Sequence, residues 1–429
     1  MSVSTGTTTA MLDFDRDHLW HPYSSMTRPG PAYPVESAAG VRIRLRVGDR
    51  SVEVVDAMAS WWCAIHGYAV PELDAALIDQ LSRMGHVMFG GLTHEPAVAL
   101  GRRLVDLAPA GLDRVFLADS GSVSVEVAMK MAWQARPGRT RMFTVRGGYH
   151  GDTFGAMSVC DPEGGMHAMY TGTLPRHLFA DRPPAAGAPL DDWKAATTGL
   201  FETHADEIAA VIVEPVLQGA GGMHVYDVDA LRHLATLARA HGALLILDEI
   251  ASGLWRTGTL WACERAGVVP DILCTGKALT GGYLTLAAVL TTREVAAAVD
   301  ASDAGAMMHG PTFMANPLAC AVAAASLDLL AGHDNAANIT RVEAALQRGL
   351  APAEELPTVV DVRTLGAVGV IELDRPVDVT AVTAAALDRG VWVRPFRNLV
   401  YTMPPYVTSD ADLDLITAAL VGAVGEMTR

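Results

Sequence analysis

Short unbroken apolar runs alternate with longer, Ala-rich stretches of helical period through the middle of this chain. Residues 114–118, 141–145, 210–213, 244–247 and 271–274 are aliphatic and β-branched with little polar alternation, the pattern of strands buried on both faces. The segments between them leave room for crossover helices. The pattern therefore predicts an α/β fold, with a mostly parallel central sheet flanked by helices. After Gly332, where an Ala-rich helix is expected to end, shorter strand-like pieces follow at 359–362, 368–372 and 391–394, which predicts a smaller α+β domain. The expected organisation is an N-terminal segment (1–62) joining that small domain, a large α/β domain (63–330) and the small domain itself (331–429). The stretch 180–190, rich in Pro, Ala and Gly, reads as a surface connection.

At 429 residues, with 50% hydrophobic and 19% charged positions, the chain is long enough for two domains and too apolar for extended disorder. Its formal net charge of −16 disfavours nucleic acid or an anionic membrane as the main partner. Five cysteines occur without a C-x-x-C pair, so neither a zinc site nor a disulfide framework is suggested. No run approaches a membrane span, and the first eleven residues lack the basic and apolar segments of a targeting sequence, so a cytoplasmic protein is expected.

In parallel sheets, ligands collect at the carboxyl ends of strands. Here those ends carry Asp119-Ser-Gly-Ser122, Gly147-Gly-Tyr-His-Gly-Asp152, Glu214, Asp248-Glu249 and Gly276-Lys277. Lys277 is one of only three lysines, and an apolar run delivers it into a glycine-flanked turn. A buried lysine loses its proton readily and forms Schiff bases with carbonyl compounds, which points to pyridoxal phosphate. A lone Gly-Lys equally fits a lysine ending a core strand. Asp248 changes that balance, because a buried carboxylate against the ring nitrogen keeps a pyridoxal ring protonated. Gly121 and Ser122 open a helical pattern after a strand and suit a phosphate at a helix N-terminus. Tyr149 is a candidate to stack on the ring. Gly276-Lys277-Ala278 lacks the hydroxyl of a nucleotide P-loop, Gly219-Ala-Gly-Gly222 stops short of the dinucleotide pattern, and His94-Glu95 has no second histidine one turn on.

Leu247-Asp-Glu-Ile-Ala-Ser-Gly-Leu-Trp-Arg-Thr-Gly258 followed by Thr275-Gly-Lys-Ala-Leu-Thr-Gly-Gly282 resembles the class III aminotransferases, fold type I enzymes that use pyridoxal 5′-phosphate. Further motifs are similar to the branch of that family acting on 8-amino-7-oxononanoate in biotin biosynthesis. They are His18-Leu-Trp-His-Pro-Tyr-Ser-Ser25, Met58-Ala-Ser-Trp-Trp62, Val87-Met-Phe-Gly-Gly-Leu-Thr-His94, Glu214-Pro-Val-Leu-Gln-Gly-Ala-Gly-Gly-Met223, Met308-His-Gly-Pro-Thr-Phe-Met-Ala-Asn316 and Arg394-Pro-Phe-Arg-Asn-Leu-Val-Tyr-Thr-Met-Pro-Pro405. The resemblance implies Lys277 as the Schiff-base lysine, Asp248 at the ring nitrogen and Gly121 with Ser122 at the phosphate. It also implies a homodimer, with Pro311 and Thr312 reaching the neighbouring subunit's phosphate. Trp61, Tyr149, Lys277, Gly310 and Arg394 are implied to contact substrate, with Tyr23 and Asp152 assisting. A guanidinium at Arg394 suits the distal carboxylate of an oxononanoate, and Trp61 with Trp62 suits its methylene chain.

The family usually has Gly-Phe-Gly-Arg-Thr-Gly where this chain has Gly253-Leu-Trp-Arg-Thr-Gly258, so Trp255 stands where the pattern has no side chain and the local backbone or packing must differ. The implied donor is S-adenosylmethionine, since Tyr23, Trp61 and Trp62 suit an adenine plane and a sulfonium. Lysine is the alternative donor, with Asp152 or Glu249 as partner for its ammonium. Rival readings are another class III enzyme, such as an ω-amino acid aminotransferase or an aminomutase, and a non-catalytic binding protein with a structural lysine.

Overall fold

The computed structural model describes residues 5–164 and 166–427. A seven-stranded sheet organises the middle of the chain, in the order Leu112–Ala118, Ala287–Thr292, Ile272–Thr275, Leu244–Asp248, Ile208–Val213, Arg141–Val145 and Leu178–Ala180. All five apolar runs read as strands are in it. Every residue of Ile208–Val213 and of Leu244–Asp248 is buried, because helices cover both faces. Ile246, with no exposed surface, pairs with Ile212 on one side and Ile272 on the other. A side chain buried so completely stabilises the fold by about 1.5–3 kcal/mol.

The one antiparallel member, Ala287–Thr292, lies between Ile272–Thr275 and Leu112–Ala118. The other pairings are parallel, so Asp119, Gly147, Glu214, Asp248 and Gly276 gather at one end of the sheet. The stretch 181–190 is mostly exposed.

The helix Pro317–Ala331 stops at Gly332, as its composition indicates, and starts where Asn316 accepts a hydrogen bond from the Ala319 N–H at 3.1 Å. Beyond it, Val359–Leu365, Val368–Leu373 and Leu399–Thr402 form an antiparallel sheet backed by the helices Asn335–Leu350 and Asp410–Met427. The N-terminal segment joins this part of the molecule. Its meander Val35–Ala39, Arg42–Val47 and Arg50–Asp56 gains Val391–Trp392 as a parallel fourth strand, with Val55 opposite Val391 and Asp56 opposite Trp392. Val55, Ala57, Met58 and Trp62 share one core with Val370, Ile371, Val391 and Leu420. Among the described residues no helix is long and apolar enough to cross a membrane, and all five cysteines are free thiols.

Candidate active site

Lys277 leaves the end of Ile272–Thr275 through Gly276 and opens a one-turn 3-10 helix, Lys277–Thr280, that Gly281 closes in the left-handed region. Its own φ is +43°, a conformation that costs an L side chain energy and that only the surrounding packing maintains. Burial holds the Lys277 ammonium below its ordinary value, against the opposing pull of Asp248, Glu214, Cys63 and Asp152. The amine is thereby closer to its neutral, nucleophilic form than a surface lysine.

Asp248 ends the neighbouring strand. Its Oδ2 is 2.8 Å from His150 Nδ1, and its Oδ1 accepts from the Ile250 N–H at 3.1 Å. Burial alone opposes a charge on His150, but the hydrogen bond and charge of Asp248, with that of Glu214, together raise its pKa. Glu214 is buried beside the pair and accepts the Tyr149 and Gly219 N–H groups at 3.0 and 2.9 Å. Burial pushes its carboxyl up to about 7. The sequence reading gave no role to His150, and placed Glu214 at a strand end without assigning it a partner.

Gly121 begins the helix Gly121–Ala135, with Ser120 as its cap. A Cβ at Gly121 would come within 3.0 Å of Ile250, so glycine keeps the helix start against the turn that follows Asp248. Ser122 Oγ lies 2.8 Å from Thr153 Oγ1 and accepts the Thr153 N–H at 3.0 Å. Gly151, with φ +125°, lies against it, and a Cβ there would overlap the Ser122 hydroxyl. Unpaired helix N–H groups, a serine hydroxyl and room for close backbone approach form an anion cradle beside the Asp248 and Lys277 strand ends.

Tyr23, Tyr149 and Asp152 meet in one cluster. Asp152 accepts the Tyr23 and Tyr149 hydroxyls at 2.8 and 3.0 Å, and His167 Nε2 lies 2.8 Å from it. His167, then Tyr23 and Tyr149, hold the Asp152 carboxyl below its ordinary value despite partial burial. Tyr149 stacks on the His167 ring at 5.8 Å. Trp61 is 41% exposed, while Trp62, expected beside it as a second wall, is buried and packs into the core shared with the C-terminal segment. The backbone explains the split, because the left-handed turn from Ala59 to Trp62 sends the two indoles different ways. Burial raises the pKa of Tyr401, and the neighbouring Trp61 indole and Arg394 charge moderate it. Arg394 has no ion-pair partner among the described residues.

Glu249, the other carboxylate considered for a donor's ammonium, is already engaged. It accepts Ser252 Oγ–H at 2.6 Å and the Ala262 and Cys263 N–H groups at 3.1 and 2.9 Å. Gly310 and Thr312 lie on an exposed loop with Pro311 half-buried between them, and the loop is tied to its own chain where Thr312 O meets His86 Nε2 at 3.0 Å. Next to them, His309 Nδ1 lies 3.1 Å from Lys130 Nζ, on the helix that Gly121 opens. Trp255 keeps the left-handed backbone, with φ +75°, and half-buries its indole against the main core.

The model of the aminotransferase class-III family matches residues 23–424. The chain belongs to the class III aminotransferases. It is 53% identical to the adenosylmethionine-8-amino-7-oxononanoate aminotransferase of Mycobacterium leprae, over 96% of each chain. It is 42% identical to the protein of that name from Saccharomyces cerevisiae, over 97% of this chain and 96% of the other. Among solved structures, the aminotransferase of that name from Methanocaldococcus jannaschii superposes with a TM-score of 0.90 at 31% identity, covering 98% and 99% of the two chains. A PLP-bound amine transaminase from an uncultivated Pseudomonas species superposes with a TM-score of 0.86 at 30% identity, over 95% and 98%. The fold is therefore that of the pyridoxal-phosphate-dependent, fold type I transaminases. As an aminotransferase site, the end of the sheet has a buried amine, a buried carboxylate backed by a histidine, and an anion cradle. That donor set fits pyridoxal phosphate.

Proposed function

We propose that this aminotransferase moves an amino group from S-adenosylmethionine to the ketone of 8-amino-7-oxononanoate, giving 7,8-diaminononanoate in biotin biosynthesis. The observation that carries the substrate is Arg394, without an ion-pair partner among the described residues and in the same neighbourhood of Tyr401 as the exposed Trp61. An ω-amino acid aminotransferase or aminomutase has less use for this pair, and relatives named for the oxononanoate reaction are 42–53% identical to the chain.

In this reading Lys277 would hold the cofactor covalently, Asp248 would face its ring nitrogen, Tyr149 its ring, and Gly121 with Ser122 its phosphate. When bound, the cofactor supplies an electron sink for the donor's α-carbon and keeps the amino group between the two half-reactions. Lys277 Nζ, lowered by burial, takes the proton from the donor's α-carbon and in the second half returns one to the carbon that receives the amine. His150, 2.8 Å from Asp248, holds that carboxylate in place at the end of its strand. Arg394 binds the distal carboxylate, Trp61 lines the methylene chain, and Asp152, with Tyr23 and Tyr149 donating to it, meets the amino group at position 8.

Gly310, Pro311 and Thr312 serve the site of a second copy, Gly310 at its substrate and the other two at its phosphate, so the working unit is a homodimer. Exposed apolar side chains at Met88, Met308 and Phe313 around the loop favour such an interface. Residues 1–62 together with 331–429 form the smaller unit against the large domain 63–330, which the shared strand and core support. The free cysteines suit a reducing cytoplasm. The test is to supply the loaded enzyme with 8-amino-7-oxononanoate and either S-adenosylmethionine or lysine, and to identify the product by mass. Formation of 7,8-diaminononanoate with S-adenosylmethionine is expected, and its formation only with lysine would overturn the donor.

A further inference from the structure

Four consecutive residues without a glycine among them, Ala59, Ser60, Trp61 and Trp62, have φ of +42°, +44°, +58° and +83°. Left-handed conformations are unfavourable for L residues singly and rare in succession, so something outside the turn has to hold it. That group is Asp56. Fully buried, its carboxylate accepts the Met58 N–H at 2.8 Å, the Ser60 N–H at 3.0 Å and the Tyr68 hydroxyl at 2.6 Å. Tyr68 OH is in turn 2.5 Å from Ser60 Oγ. The N–H just before the unusual turn and the Ser60 N–H within it thus point into one carboxylate, and a tyrosine locks the carboxylate from the far side.

The backbone around Asp56 is tied elsewhere. Asp56 pairs with Trp392, two residues before Arg394, and the Ala57 N–H donates to Trp392 O at 3.1 Å. Ala57 O accepts the Met403 N–H at 2.9 Å and the Thr402 hydroxyl at 2.7 Å, next to Tyr401. One residue therefore connects the turn that presents Trp61 to the strand that leads to Arg394.

We propose that Asp56, acting with Tyr68, is a positioning residue for the oxononanoate site, setting Trp61 at a fixed distance from Arg394. This rests on the substrate reading given above. It touches no reacting atom, so loss of the lock should weaken substrate binding while leaving the chemistry at Lys277 intact. A turn freed from the carboxylate relaxes toward right-handed backbone and carries the Trp61 indole out of register.

The test compares the parent holoenzyme with Tyr68→Phe, Asp56→Asn, Trp61→Ala and Trp61→Ala/Tyr68→Phe, using S-adenosylmethionine and 8-amino-7-oxononanoate. Tyr68→Phe should raise KM for the oxononanoate about tenfold, the size of one lost charge-assisted hydrogen bond, and leave kcat within about twofold. In the Trp61→Ala background the same change should add little, because the two residues act through one contact. Asp56→Asn should shift KM further, and if it does not fold, Tyr68→Phe with its double mutant decides alone. An unchanged KM in Tyr68→Phe, or full additivity with Trp61→Ala, would overturn the proposal. Absence of oxononanoate turnover in the parent would instead overturn the substrate reading, and this role with it.

Discussion

His150 Nδ1 lies 2.8 Å from Asp248 Oδ2, with both side chains sealed from solvent, so a loop following one strand holds the carboxylate that ends another. The buried contact fixes the carboxylate's direction. Replacing His150 by Ala should weaken binding of pyridoxal 5′-phosphate about 10- to 100-fold, corresponding to the loss of one hydrogen bond to a charged group. Titration of the apo-enzyme with cofactor measures this, and unchanged affinity would show that Asp248 needs no support.

Two buried carboxyls give stability a definite pH dependence. Burial pushes Glu249, like Glu214, up to about 7, above the ordinary 4.5. A carboxyl whose folded pKa is raised contributes its stability fully below about pH 4.5 and loses it as pH rises through about 7. Glu249→Gln removes the charge and keeps one acceptor oxygen, enough for one of the Ala262 and Cys263 N–H groups, which bond different oxygens of Glu249. The variant should gain on the parent as pH rises from 5 to 8, by at most about 3 kcal/mol. Denaturant unfolding at the two pH values checks the sign.

At Trp255, two effects oppose one another. The indole contributes packing against the main core, and the φ of +75° taxes any residue with a Cβ. Trp255→Ala loses the packing and keeps the strain, whereas Trp255→Gly loses the packing and relieves the strain. The glycine variant should therefore be more stable than the alanine variant by about 1 kcal/mol, although both fall below the parent. Thermal unfolding of the three proteins decides the order.

Lys277→Ala and a Thr312→Ala variant should each be nearly inactive alone. Mixed under conditions of subunit exchange, they should recover activity, because one site of each heterodimer keeps its own Lys277 and receives an intact loop from its partner. Exchange shown by mass, with no recovered turnover, would place Thr312 outside the shared site.

Much of this site is legible in the sequence because strands announce themselves as apolar runs, and whatever polar residue ends a run lies at the sheet's edge. Lys277, Asp248 and the Gly121-Ser122 turn are found that way. His150 is not, since its contact spans 98 positions and depends on how the loop from Gly147 to Asp152 folds back. The pair Trp61-Trp62 reads as one wall, but a left-handed turn that no propensity favours makes one indole core and leaves the other open. The antiparallel strand Ala287–Thr292 was not among the runs read as strands, because the apolar stretch after Lys277 runs on from a glycine-rich turn without its own boundary signal.

The most direct measurement follows the cofactor on Lys277 itself. Protein loaded with pyridoxal 5′-phosphate is reduced with borohydride, digested and mapped by mass spectrometry, with and without prior addition of S-adenosylmethionine. The expected result is a cofactor adduct on Lys277 alone, abolished when the donor is added first because the lysine has been released as a free amine. An adduct on Lys130 or Lys194, or one on Lys277 that persists after the donor, would contradict the role assigned to this residue.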